Sequence, residues 1–103
     1  MSPTEKLRAA KLLLTDPAKW TQGAFARDAS GYQVKSGSPV AVAWCAVGAL
    51  IRSGSPFDRS IRFLNDAGPK AFEGVPDYND ALFHHADLLA WFDRAITLAE
   101  QAE

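Results

Sequence analysis

The dipeptide Ser-Pro constrains the fold of this chain most, because it marks where helices begin. It occurs at Ser2-Pro3, Ser38-Pro39 and Ser55-Pro56. A serine hydroxyl can accept hydrogen bonds from the free amides of a helix N-terminus. Proline suits the first helical position because it has no N–H to leave unbonded. The sequence therefore predicts three helices that open at these sites.

Each of these helices also has a stop signal. The first should end near Thr15-Asp16, since the residue before Pro17 is pushed out of the helical region. The second should end at Arg52-Ser53-Gly54, where a cation in the last turn precedes a glycine able to take the left-handed cap. The third should end within residues 65–69, which contain Gly68-Pro69.

A fourth helix, the longest, is predicted near the C-terminus. Its apolar side chains recur at helical spacing, and they are Leu88, Leu89, Phe92, Ala95, Ile96 and Ala99. Two starting points, Asp77 and His84, stay open. The second would put Asp87 at the third helical position, where a carboxylate complements the helix dipole. Residues 66–77 are interpreted as a loop because glycine and proline recur there.

The segment between the first and second helices has a different pattern. Residues 25–27 and 32–34 are predicted to form two short strands around a turn. A hairpin alone is marginally stable in water, so it should pack on the helices through Phe25, Tyr32 and Val34. The predicted fold is α+β and mostly α, with about four helices and one short β-hairpin in a single domain over residues 1–103.

Composition narrows the classes of function. The net charge of −1 lacks the excess of positive charge with which nucleic-acid-binding proteins contact phosphates. The longest apolar stretch, Val40 to Ile51, is shorter than the about 20 residues of a membrane span. A lone cysteine, Cys45, permits no internal disulfide, and the N-terminus has no signal-peptide pattern. We therefore expect a cytoplasmic protein.

Cys45 is the first candidate for chemistry, and two interpretations of it stay open. Counted from Pro39, it lies in the second helical turn, where the helix dipole lowers a thiol pKa less than in the first turn. It shares a strip of small side chains with Ala41, Gly48 and Ala49, which would let another backbone approach closely. We favour an inert packing role over a nucleophilic one.

The nucleophilic interpretation makes the chain a small hydrolase or transferase with a histidine base. The candidate residues are Cys45 as nucleophile, His85 or His84 as base, Asp80 or Asn79 as orienting group, and Gln22 as oxyanion donor. The structural alternative places the histidines at the start of the last helix. No spacing typical of a metal site and no phosphate-binding glycine loop is present in the sequence, so neither a metal nor a cofactor is expected.

Three segments carry a family resemblance. They are residues 20–28 (WTQGAFARD), residues 43–50 (AWCAVGAL), and the pair Asn79-Asp80 followed by His85 and residues 92–96 (FDRAI). Together they resemble a family of small uncharacterised proteins from bacteria and their phages, and the Trp-Cys segment is the most specific part. The family pattern has a glycine-rich turn where this chain has Leu82-Phe83. The resemblance implies one compact domain and no assigned activity.

The sequence as a whole favours a small accessory or binding protein without catalytic activity. Its partner would be an unknown protein or a second copy of the chain, and neither nucleic acid nor membrane is expected. Trp20 should either cover the edge of the core or present an anchor to a partner. The hydrolase or transferase built on Cys45 is the alternative.

Overall fold

Five α-helices and one antiparallel pair of short strands form the part of the protein that the computed structural model describes, residues 2–54, 59–70 and 74–103. The helices are α1 (Pro3–Leu14), α2 (Ala46–Arg52), α3 (Arg59–Ala67), α4 (Val75–Ala81) and α5 (His85–Ala102). The strands are β1 (Ala26–Arg27) and β2 (Ala43–Trp44), and a 3₁₀ turn, Pro17–Lys19, follows α1. The predicted fold class, mostly α with a small β-hairpin, is confirmed.

Helix α1 begins and ends as predicted. The Ser2 hydroxyl accepts a hydrogen bond from the Glu5 N–H (3.1 Å), and the Glu5 carboxylate accepts one from the Ser2 N–H (3.5 Å). This reciprocal capping box satisfies two amides that a helix N-terminus would otherwise leave free. The helix ends at Leu14, and Thr15 is its C-cap.

Helix α2 begins at Ala46, so its predicted start at Pro39 is wrong. Residues 42–45 are extended because their backbone pairs with residues 25–27, with amide-to-carbonyl distances of 2.9 and 3.1 Å. The helix can therefore start only after this pairing ends. Local capping signals were outweighed here by hydrogen bonds to a distant segment.

The Ser-Pro signal before α2 caps a local turn instead. The Ser38 hydroxyl accepts a hydrogen bond from the Val40 N–H (3.3 Å), and the Ser38 carbonyl accepts one from the Ala41 N–H (3.2 Å). The predicted end of the helix is confirmed, since α2 ends at Arg52 and Gly54 has a φ of +104°. Only glycine adopts that conformation without strain.

The predicted hairpin is present, but β1 has a second neighbour. The Asp28 N–H donates to the Tyr32 carbonyl (2.9 Å) and the Val34 N–H to the Ala26 carbonyl (3.0 Å). On its other side β1 pairs with β2. Val34 packs against the core as expected, whereas Phe25 and Tyr32 are 52% and 73% exposed, so the expected packing of these two rings is wrong.

The remaining sequence predictions concern the bounds of helices α3 to α5. The predicted start at Ser55-Pro56 lies outside the described residues, and α3 ends just before Gly68, as predicted. Residues 66–77 are not all loop, because α4 begins at Val75. Helix α5 begins at His85, which confirms the second of the two predicted starts, with Asp87 at the third helical position. The Asp77 start is wrong, since the chain is extended at Leu82 between α4 and α5.

The core is built mainly by the packing of α5 on α1 and α3 and of α1 on α2. Trp91 is fully buried at its centre, and its indole N–H donates to the Leu64 carbonyl (2.8 Å). Tyr78 meets the Trp91 ring edge-on, with 4.7 Å between the ring centroids. Among the described helices, none is both long enough and apolar enough to cross a bilayer.

Gly48 in α2 lies where another stretch of backbone comes very close. A Cβ atom placed on Gly48 would stand 1.9 Å from the Phe25 carbonyl oxygen and 2.9 Å from its carbonyl carbon. Both separations are far shorter than van der Waals contact, so only glycine fits. The close backbone approach expected from the strip of small side chains is confirmed at this residue.

We predict that Gly48→Ala lowers the free energy of unfolding by about 2 kcal/mol or more, because the added methyl must push the chain at Phe25 away from α2. Urea denaturation followed by tryptophan fluorescence measures the change. Gly37→Ala is the matched control, since a Cβ there meets no atom within 4 Å. Equal stabilities of the two variants would refute the proposed steric constraint.

Candidate functional site

Asn79 is a fully buried polar side chain that joins three segments distant in sequence. Its Oδ1 accepts hydrogen bonds from the Trp20 indole N–H (2.9 Å) and the Ala46 N–H (3.1 Å). Its Nδ2 donates to the Thr21 carbonyl (3.2 Å) and to Asp80 Oδ1 (3.0 Å). All four hydrogen-bonding positions of the amide are used, so α4 is fixed both to the Trp20 segment and to the start of α2.

Two neighbouring polar side chains, Gln22 and Asp80, add hydrogen bonds between the same segments. Gln22 Nε2 donates to the carbonyls of Asn79 (2.8 Å) and Leu82 (2.7 Å), so both of its amide hydrogens hold the end of α4. Asp80 Oδ1 also accepts a hydrogen bond from the Gly23 N–H (2.9 Å). Residues 20–23 are therefore attached to α4 by side-chain and backbone contacts together.

A pocket of about 280 Å³ opens beside this junction. The residues that line it are Gly23, Ala24, Phe25, Gln33, Cys45, Pro76 and Asp80. Cys45 is the one buried residue of this set, with 3% of its surface exposed. The pocket therefore combines a buried thiol, an exposed carboxylate and largely apolar walls.

Cys45 is the N-cap of α2, so its predicted place in the second turn of a helix is wrong. Its Sγ accepts a hydrogen bond from the Gly48 N–H (3.3 Å). Burial raises the pKa of the thiol, the N–H groups of Gly48 and Val47 lower it in part, and the Asp80 carboxylate raises it further. The net effect is a raised pKa, which favours the neutral S–H over the nucleophilic thiolate at neutral pH.

The two histidines lie at the start of α5. His85 Nε2–H donates to the Leu14 carbonyl (2.6 Å), one of the carbonyls that the end of α1 leaves without an intrahelical partner. The His85 ring also packs on Trp20, with 5.9 Å between centroids. His84 is the exposed N-cap of α5. The structure thus brings the thiol and the Asp80 carboxylate to one pocket, and neither imidazole is among the residues that line it.

Residues 1–98 match a protein family that is described as a family of unknown function, DUF6197. The chain belongs to this family. No curated protein and no solved structure matches it. The family of uncharacterised proteins predicted from the sequence is confirmed to this extent, and the bacterial or phage origin stays a prediction.

This DUF6197 chain has site residues that its sequence did not single out. Gly23 supplies the N–H that Asp80 accepts, and Gln33 and Pro76 line the pocket. No local signal marks them, because the contacts that unite them span most of the chain. Trp20 was expected to cover the core or to anchor a partner, and its indole packs at the edge of the core. Within the described residues, no three His, Cys, Asp or Glu side chains group as metal ligands would.

We predict that Asn79→Ala lowers the free energy of unfolding by about 3 kcal/mol, because it leaves the partly buried Trp20 indole N–H and the buried Ala46 N–H without their acceptor. Chemical denaturation measures the loss. Asn65→Ala, at an exposed position in α3, is the control and should change stability by less than about 0.5 kcal/mol. Similar losses in the two variants would show that the Asn79 junction does not hold the structure together.

We also predict that iodoacetamide alkylates folded Cys45 slowly at pH 7, and that the rate rises only above the ordinary thiol pKa of about 8.5. The raised pKa shifts thiolate formation to higher pH. Asp80→Asn should speed labelling, since it removes a charge that raises this pKa, whereas Asp77→Asn should not. Mass spectrometry of labelled protein gives the rates, with urea-unfolded protein as reference. Labelling of the folded protein as fast as the reference at pH 7 would contradict the buried, protonated thiol.

Proposed function

We propose that this DUF6197 protein is a non-enzymatic binding protein and that its ligand occupies the pocket between Cys45 and Asp80. The observation that carries the proposal is the convergence of the Trp20–Gly23 segment, the start of α2 and the end of α4 on one pocket, fixed by the buried Asn79 amide. A wall held in this way is preorganised. Ligand binding to it has little conformational entropy to overcome.

The geometry supports binding better than catalysis. A cysteine hydrolase needs a thiolate and a base within hydrogen-bond reach of it, about 2.6–3.2 Å. Here burial favours the neutral thiol, and the charged group in the pocket is a carboxylate. The Gly48 N–H bond to the sulfur is what a helix N-cap makes with any small polar side chain.

The hydrolase or transferase remains the second candidate for one reason. Cys45 caps a helix and lines a pocket, which is the setting in which catalytic thiols are found. Rapid alkylation at neutral pH would favour this candidate over the binding protein. Slow alkylation would leave the binding protein as the better account.

A small molecule suits this pocket better than the protein partner or second copy of the chain that the sequence favours. The pocket, at about 280 Å³, is slightly smaller than the about 300–1,000 Å³ typical of small-molecule sites. A net charge of −1 gives no electrostatic attraction to nucleic acid or to an anionic membrane surface. Self-association would be a separate property that does not depend on the pocket, and sedimentation at several protein concentrations would detect it.

We predict that a library of small fragments screened by NMR on ¹⁵N-labelled protein yields ligands whose shifts cluster on the amides of Gly23, Ala24 and Cys45. Ala24→Leu should weaken these ligands at least tenfold, because the larger side chain fills the pocket. Ala81→Leu, at an exposed position of α4, should leave affinity unchanged. A screen whose hits all map outside the pocket, or that has none, would overturn the proposed function.

A further inference from the structure

We infer that the ligand of this pocket is a small primary amine, bound as its ammonium form, with an apolar body of about one ring. This inference rests on the proposed function and specifies the chemistry of the same site. It follows from the hydrogen-bonding capacity that the pocket leaves open, from the sign of its charge and from its size.

Only one of the two oxygens of the Asp80 carboxylate is hydrogen-bonded to the described residues. Its Oδ1 accepts hydrogen bonds from the Gly23 N–H (2.9 Å) and from Asn79 Nδ2 (3.0 Å), which fix its orientation. Its Oδ2 makes no hydrogen bond or ion pair with the described residues, and the residue is exposed at the pocket. Among the described residues that line the pocket, Asp80 is the one with a charged side chain. The site therefore offers one free anionic acceptor. The Arg27 guanidinium lies beside Gly23 but donates to the carbonyls of Gln22 (3.1 Å) and Gly31 (3.0 Å), and within the described residues it forms no ion pair with Asp80.

One free carboxylate oxygen selects an ammonium over a guanidinium. A guanidinium binds carboxylates best through two parallel hydrogen bonds, one to each oxygen. That arrangement is blocked here because Oδ1 already holds two donors. An ammonium is a compact point charge with three donors, and it needs only one oxygen of the carboxylate. Gln33 also lines the pocket, and its side chain carries an amide oxygen that can accept a hydrogen bond.

The other residues that line the pocket favour a ligand whose body is apolar. Phe25, which is exposed, lines the same pocket as the Asp80 carboxylate, and so do Ala24 and Pro76, so apolar side chains form much of the wall. An aromatic face also attracts a nearby cation. A pocket of about 280 Å³ has room for one ring and its amine. An ammonium group on a single aromatic or aliphatic ring matches these features together.

The test uses three probes that share one body: benzylamine, benzyl alcohol and benzylguanidine. Dissociation constants come from NMR titration of the ¹⁵N-labelled full chain at pH 7 and low salt. We expect benzylammonium to bind about fivefold more tightly than benzyl alcohol, a gain of about 1 kcal/mol from one exposed ion pair. Benzylguanidinium should bind no more tightly than benzylammonium.

Asp80→Asn and Asp77→Asn are the matched variants. Asparagine at position 80 keeps an oxygen for the Gly23 N–H, so the fold is retained while the charge is lost. We expect the preference for the ammonium over the alcohol to fall below about twofold in Asp80→Asn, whereas Asp77→Asn, on the same helix but outside the pocket, should keep it.

The outcomes separate the two proposals. If the alcohol binds in the pocket as tightly as the ammonium, or if the preference survives in Asp80→Asn, the amine inference is overturned while the pocket remains a binding site. A guanidinium that binds more tightly than the ammonium also overturns it. If none of the three probes shifts the pocket amides, the amine inference falls, and the fragment screen then decides whether the proposed function falls with it.

Discussion

The buried side chain of Asn79 is the interaction on which the site depends. One amide bonds simultaneously to the indole of Trp20, the first residue of α2 and the backbone at Thr21, while also holding the Asp80 carboxylate. Each partner left unsatisfied in the interior would cost roughly 1–3 kcal/mol. The three segments therefore keep a single relative position, and the pocket is the space that this position leaves between them.

A second constraint comes from the contact between the Phe25 carbonyl and Gly48. It brings the chain before β1 against α2, and the backbone pairing that accompanies it continues up to Cys45. The helix begins immediately afterwards, so Cys45 becomes its cap and lines the pocket. Position at a helix N-terminus can activate a thiol, but here burial and a neighbouring carboxylate act in the opposite direction. The backbone contact thus places the sulfur in the pocket, where burial raises the pKa of the thiol.

These two constraints give a family of unknown function a specific feature to examine. The pocket is small and its carboxylate is already oriented, while the His85 imidazole bonds to the end of α1 and His84 is the exposed N-cap of α5. The binding function that we propose rests on this oriented carboxylate beside apolar walls. The free oxygen of Asp80 is the group through which such recognition would gain its specificity.

The sequence by itself determined the elements whose signals are local. The capping box of α1, the glycine after α2 and the end of α3 before Gly68 were predictable because caps and turns are settled within a few residues. The start of α5 was narrowed by the sequence only to Asp77 or His84. Tertiary structure alone decided where α2 begins and what Cys45, Asn79 and Asp80 contact. Residues 42–45 pair with residues 25–27, so the helix begins after this pairing and not at Ser38-Pro39. The hydrogen bonds of Asn79 likewise reach back to positions 20 and 46, and no local pattern encodes contacts over such distances.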